Sequence, residues 1–185
     1  MTTIIGLSGS LRRDSYNSAL LRVATELMPE GTRLQIGAIR GIPLYDGDLE
    51  AEGIPPPIAA LKDMIADADG LLLATPEYNN SIPGVLKNAI DWLSRPPADI
   101  KRVFGGKPVA LIGATPGAFG TILSQSAWLP ILRTLGCVFW SEGRLLVPRA
   151  QEAFDEAGTI KDAALKERLR GFIHSFVGFA RSSPK

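Results

Sequence analysis

Four apolar residues in a row, Leu71–Leu72–Leu73–Ala74, leave a strand no polar face to turn toward water. Such a strand belongs in a sheet covered on both sides, and sheets of that kind are parallel. Pro108–Val109–Ala110–Leu111–Ile112–Gly113 has the same unbroken character, and Thr3–Ile4–Ile5–Gly6–Leu7 is a short β-branched companion. Parallel neighbours need long crossovers, and the stretches between these runs have helical spacing. Ala19, Leu20, Val23, Ala24 and Leu27 predict a helix over residues 16–28, stopped by Pro29 and Gly31. Ile58, Leu61, Met64 and Ile65 predict a second, ending near residue 68.

Three more helices follow, over residues 82–94, 122–135 and 161–181. The first of them takes Ser81 as N-cap with Pro83 in its first turn, and Lys87 and Asp91 pair along it. The next is kinked at Pro130. Arg33–Gly37 alternates and reads as a second strand; Cys137–Trp140 with Arg144–Val147 reads as a fifth, interrupted at Gly143. Residues 40–56, broken by Gly41, Pro43, Gly47, Gly53 and Pro55–Pro57, read as loop. Five strands alternating with five helices predict one α/β domain over residues 1–185. It is a doubly wound parallel sheet with helices on both faces and strand order 2-1-3-4-5. That order gathers the loops after strands one, three and four at one rim.

Composition narrows the chemistry. A net charge of +1 gives no electrostatic case for nucleic acid or a membrane surface. No apolar run approaches the roughly 20 residues of a membrane span and no signal segment opens the chain, so a cytoplasmic location is expected. The single Cys137 excludes an internal disulfide, and it reads as a small apolar residue at a strand start. The only histidine, His174, stands among Phe172, Ile173, Phe176 and Val177, so a Ser-His triad has no base and no metal has a ligand set. The hard chemistry therefore falls to a bound cofactor.

The loop after strand one offers Ser10, Ser15 and Asn17 with Arg12 and Arg13, and runs straight into a helix N-terminus. Hydroxyls, guanidinium groups and free N–H donors together make a phosphate cradle. It is neither of two familiar ones: G-x-G-x-x-G and G-x-x-x-x-G-K-[ST] are both absent.

Gly9–Ser10–Leu11–Arg12–Arg13–Asp14–Ser15–Tyr16–Asn17 resembles the G-S-x-R-x-x-S-x-N loop of the NADPH-dependent FMN reductase family. Thr75–Pro76–Glu77–Tyr78–Asn79, then Ser81-x-Pro83–Gly84 and Leu86–Lys87–Asn88–Ala89–Ile90–Asp91–Trp92, resembles its second signature. The resemblance covers essentially the whole chain. It implies a flavodoxin-like fold and non-covalent FMN, with the phosphate on Ser10, Arg12, Ser15, Tyr16 and Asn17. It implies the isoalloxazine on Pro76, Glu77, Tyr78 and Asn79, with donors from the Tyr78–Asn79 backbone. A third contact falls on Thr115 to Gly117, where relatives often carry serine. The implied activity is hydride transfer from NADPH or NADH through FMN to quinones, chromate or azo compounds, in ping-pong order. Leu86, Ile90 and Leu93 beside Val85, Ala89 and Trp92 make helix 82–94 apolar far round, and the resemblance implies a homodimer or homotetramer built on it. The rival readings are a flavodoxin-type electron carrier, a flavin-binding module without turnover, and a hydrolase on a similar sheet.

Overall fold

The computed structural model describes residues 1–183. The strands are β1 (Thr2–Ser8), β2 (Thr32–Gly37), β3 (Gly70–Ala74), β4 (Pro108–Ala114), β5 (Val138–Phe139) and β6 (Leu145–Val147). All pair in parallel, in the order β2-β1-β3-β4-β5, and β6 also pairs with β4. The expected fifth strand is thus two short pieces, β5 beside Pro108–Val109 and β6 beside Ile112–Ala114.

Successive side chains of a strand point to opposite faces, and the core divides accordingly. Ile4, Leu72, Ala110 and Ile112 pack with α1 (Tyr16–Glu26) and α8 (Ala163–Ser182). Ile5, Leu7, Leu71, Leu73, Val109 and Leu111 pack on the other face, under α3 (Pro56–Asp67), α4 (Gly84–Leu93) and α6 (Ile122–Thr134). Continuous apolarity in the strands is what two covered faces require.

These five long helices are the five expected. Three short helices were not: α2 (Gly47–Glu52), α5 (Ile100–Val103) and α7 (Ala150–Ala153). The segment read as loop holds α2 because Asp46 caps it, its Oδ1 accepting from Asp48 N at 2.9 Å, and Gly53 ends it at φ +126°. None of its residues is buried, so it left no periodic trace. A second correction concerns α4. Its N-cap is Pro83, in extended conformation, and Ser81 belongs to the turn before it. Helix α6 runs on through Pro130, whose missing N–H leaves the Ser126 carbonyl without an intrahelical donor.

Between α4 and α5, Lys62 is buried from α3, donating to the Arg95 carbonyl and pairing with Asp99. That hydrogen bond from Lys62 holds the Asp99 carboxyl below its ordinary value, so the pair contributes at neutral pH and is lost in acid.

Cys137 enters β5 against the same apolar face, and burial pushes its thiol up to about 12. The folded chain keeps that proton where the unfolded chain, with an ordinary thiol, releases it. Stability from this group is full below the ordinary thiol value and falls as pH rises toward 12. Denaturant melts of wild type and Cys137→Ala should therefore diverge in slope with pH in the alkaline range, and iodoacetamide should label native protein far more slowly than unfolded protein. Equal labelling rates would show the thiol to be open.

Candidate functional site

Three loops meet at the carboxyl ends of β1, β3 and β4. The first, after β1, is folded by its own hydroxyls. Ser8 Oγ accepts weakly from Ser10 N at 3.4 Å and from Ser18 Oγ at 2.9 Å, and Ser10 Oγ accepts from Arg12 N at 3.3 Å. Ser15 caps α1, its Oγ accepting from Ser18 N at 3.2 Å. Tyr16 and Asn17 occupy the first turn, where backbone N–H groups have no intrahelical acceptor. Arg12 and Arg13 are exposed, and among the described residues neither guanidinium has a partner. The loop therefore presents two cations, hydroxyls able to donate, and a helix N-terminus, which is the donor set of a phosphate site.

Asn17 is 3% exposed, and its side chain does something the sequence did not suggest. Nδ2 donates to the Ala114 carbonyl at 2.9 Å and Oδ1 accepts from Ala114 N at 3.0 Å. Its carboxamide, expected in the phosphate cradle, ties the start of α1 to the end of β4, and its second Nδ2–H and its backbone N–H are left over.

The second loop follows β3. Gly9 lies against it so closely that a Cβ there would meet Pro76 Cδ and Pro83 Cγ at 2.8 Å. Tyr78 and Ser81 form a two-residue hairpin, Tyr78 N donating to Ser81 O at 3.1 Å and Ser81 N to Tyr78 O at 3.0 Å. Asn79 and Asn80 turn it at φ +50° and +62°, the left-handed pair such a hairpin needs and asparagine tolerates. The Asn-Asn dipeptide was the overlooked signal for this turn. The Tyr78 N–H is thus spent, while those of Asn79 and Asn80 face no backbone acceptor among the described residues. Tyr78 is 46% exposed and Pro76 is buried.

Glu77, expected against the ring, turns one carboxylate oxygen to α6. Oε2 accepts from Leu123 N at 2.9 Å and Ser124 N at 3.0 Å. Beneath it Thr75, fully buried, has Oγ1 at 2.7 Å from Ser124 Oγ and accepts from Trp128 Nε1 at 3.0 Å. Ser124 and Trp128 went unnoticed because their partner lies 49 and 53 positions away.

In the third loop Thr115 N–H is spent on Val147 O, and Gly117 N donates weakly to Thr115 Oγ1 at 3.4 Å. The Thr115 hydroxyl keeps its proton to donate. Phe119, 81% exposed, and Leu123, 46% exposed, put apolar surface on this side. A fourth segment, read only as loop from sequence, packs on α4 and the first loop: Asn88 Nδ2 and Trp92 Nε1 both donate to the Pro43 carbonyl, and Arg40 reaches the Leu11 carbonyl. No cluster of potential metal ligands occurs among the described residues, and no described helix is long and apolar enough to cross a membrane.

An anion cradle at one end, a turn with unspent N–H donors at the other, and apolar side chains between fit a phosphorylated, flat, partly polar ring molecule such as FMN. The hydroxyls and the Glu77 carboxylate of these loops are engaged in holding the loops and α6, so the arrangement binds and orients.

The model of the NADPH-dependent FMN reductase family matches residues 2–152. The chain is 44% identical to an NAD(P)H-dependent FMN reductase of Pseudomonas aeruginosa, over 90% of this chain and 89% of that protein. It is 39% identical to a 2-hydroxy-1,4-benzoquinone reductase of a Burkholderia species, over 94% and 93%. Among solved structures it is similar to a flavoenzyme NAD(P)H:(acceptor) oxidoreductase from Paracoccus denitrificans, with TM-score 0.89, 35% identity and 99% of each chain covered.

Replacing Asn17 by Ala leaves a buried N–H and C=O at Ala114 unpaired. Each buried orphan costs about 1–3 kcal/mol, so the urea midpoint of the flavin-free protein should fall clearly. Asn17→Asp should fall further at neutral pH, since a carboxylate would face the Ala114 carbonyl. An unchanged midpoint for both would show the clamp to be slack.

Proposed function

The chain belongs to the NADPH-dependent FMN reductase family, and on that premise we propose that it is a cytoplasmic NAD(P)H-dependent quinone reductase working through one non-covalent FMN. The observation that carries this reading is the pairing, at one rim, of an anion-ready α1 N-terminus with a ring-side turn of unspent donors. The quinone reductases among its relatives support the choice of acceptor.

Ser10, Arg12 and Ser15, with the backbone N–H groups of Tyr16 and Asn17, hold the phosphate. Hydrogen bonds to a charged group contribute about 1.5–3 kcal/mol each, and a micromolar complex needs only about −8 kcal/mol, so three or four suffice without covalent attachment. Pro76, Tyr78 and Asn79 would border the ring, with Thr115 and Gly117 as a third contact. The chemistry supplied there is two-electron transfer from a reduced nicotinamide to a small oxidised acceptor. These residues would fix the position of the ring, and the opening beside them would admit nicotinamide and acceptor in turn. Chromate and azo compounds are further acceptors that such an opening would admit.

The described residues, 1–183, act as a single domain, and the working unit is a homodimer or a pair of dimers. The support is not the stripe on α4, because Leu86, Ala89, Ile90, Trp92 and Leu93 are already buried within the chain. It is the exposed apolar surface of Tyr78, Val85, Phe119, Leu123 and Leu129.

Purified protein should carry flavin absorbance or acquire it on adding FMN, and should oxidise NADPH or NADH faster when benzoquinone is present. Double-reciprocal plots at several quinone concentrations should be parallel; intersecting lines would exclude alternating occupancy. Arg12→Ala should weaken FMN about tenfold to a hundredfold, the size of one charge-assisted hydrogen bond. Light scattering should give a multiple of the 19.8 kDa chain mass, and a monomer mass would exclude the assembly.

A further inference from the structure

Helix α6 begins without a cap of its own. Its N-cap residue, Thr121, makes no side-chain capping bond, because Thr121 Oγ1 accepts instead from Gln125 Nε2 at 3.1 Å. No acidic residue stands in its first turn. Yet the first N–H groups of a helix lack partners and its N-terminus carries partial positive charge. The side-chain oxygen that meets them is Glu77 Oε2, on Leu123 N at 2.9 Å and Ser124 N at 3.0 Å, brought from 46 and 47 positions upstream.

The same turn of α6 is gripped a second time. Thr75 Oγ1 lies 2.7 Å from Ser124 Oγ and accepts from Trp128 Nε1. Two residues of the second loop therefore hold α6, and the third loop, 115–121, runs directly into that helix. The distance between the second and third loops is set by these bonds and not by either loop alone. Tyr78, next to Glu77, and Leu123, bonded to it, stand exposed on the two sides of the contact.

From this geometry we propose that Glu77 is a positioning residue, which acts on FMN affinity by strapping the Pro76–Asn79 turn to the α6 N-terminus and not by touching the flavin. The proposal rests on the reading that the ring lies against this turn. A glutamine oxygen accepts the same two N–H groups, whereas alanine offers none and aspartate is one methylene short. The strap therefore separates these substitutions in a way that a direct charge effect does not.

The test takes wild type, Glu77→Gln, Glu77→Ala and Glu77→Asp, freed of flavin and each checked for folding by circular dichroism. Two quantities are read: amide hydrogen exchange at Leu123 and Ser124, and the dissociation constant for added FMN. Glu77→Gln should stay within about threefold of wild type in both. Glu77→Ala and Glu77→Asp should exchange those two amides about tenfold faster, the scale of a lost N-cap, and bind FMN about tenfold more weakly. Should Glu77→Ala fail to fold, Glu77→Asp against Glu77→Gln gives the same comparison. FMN affinity unchanged in Glu77→Asp overturns the proposal, as does Glu77→Gln losing affinity while its amides stay protected, which would place the carboxylate charge at the ligand. Wild type with no affinity for FMN overturns instead the flavin reading itself; the exchange rates then still decide whether the strap exists.

Discussion

A parallel sheet ends in open backbone groups at the carboxyl edge of every strand, and here one buried carboxamide takes two of them. The bonds between Asn17 and both polar groups of Ala114 join the start of α1 to the end of β4, across the intervening β3. A buried N–H or C=O without a partner costs far more than a satisfied one gains. The pairing is therefore demanding: α1 can begin only where Asn17 reaches β4. Once it does, Ser15 is placed to cap, the first-turn N–H groups point out of the rim, and the two arginines before them are left in solvent.

The rest of the rim is joined by the same means. Gly9 admits Pro76 and Pro83 to a contact that any side chain would block. Thr75 and Glu77 hold α6, and Asn88 with Trp92 hold the Pro43 carbonyl. Each bond links segments from different crossovers. A sheet with two covered faces is rigid on its own, but its loops are not, and a binding site made of loops needs such cross-ties to keep its shape. The polar residues of the two signatures thus divide into those that face outward, Arg12, Tyr78 and Asn79, and those turned inward to hold them, Asn17, Thr75 and Glu77.

That division was invisible in the motifs. Asn17 was expected to meet the ligand as a short polar residue of the loop after strand one, and Glu77 through the resemblance of its turn to the family's second signature. Their partners, Ala114 and the Leu123–Ser124 amides, are backbone groups distant in sequence, and no local pattern marks a backbone group as a partner. The α4 cap failed for a related reason. Ser81 is a good N-cap by residue type, but Asn79 and Asn80 bend the chain into a hairpin that takes Ser81 first.

What the sequence alone determined is the architecture. Short unbroken apolar runs bounded by turns read as strands with both faces covered, and helical spacing between them supplies the crossovers and the layers; the strand order came from the polar loops after strands one, three and four, which need one common rim. That holds because side-chain periodicity is local and survives without knowledge of neighbours. What only the tertiary structure decided is which polar residue faces the ligand and which faces the protein. Hydrogen-bond partners are chosen by distance in space, and residues 46 to 97 positions apart become neighbours only after the sheet has formed.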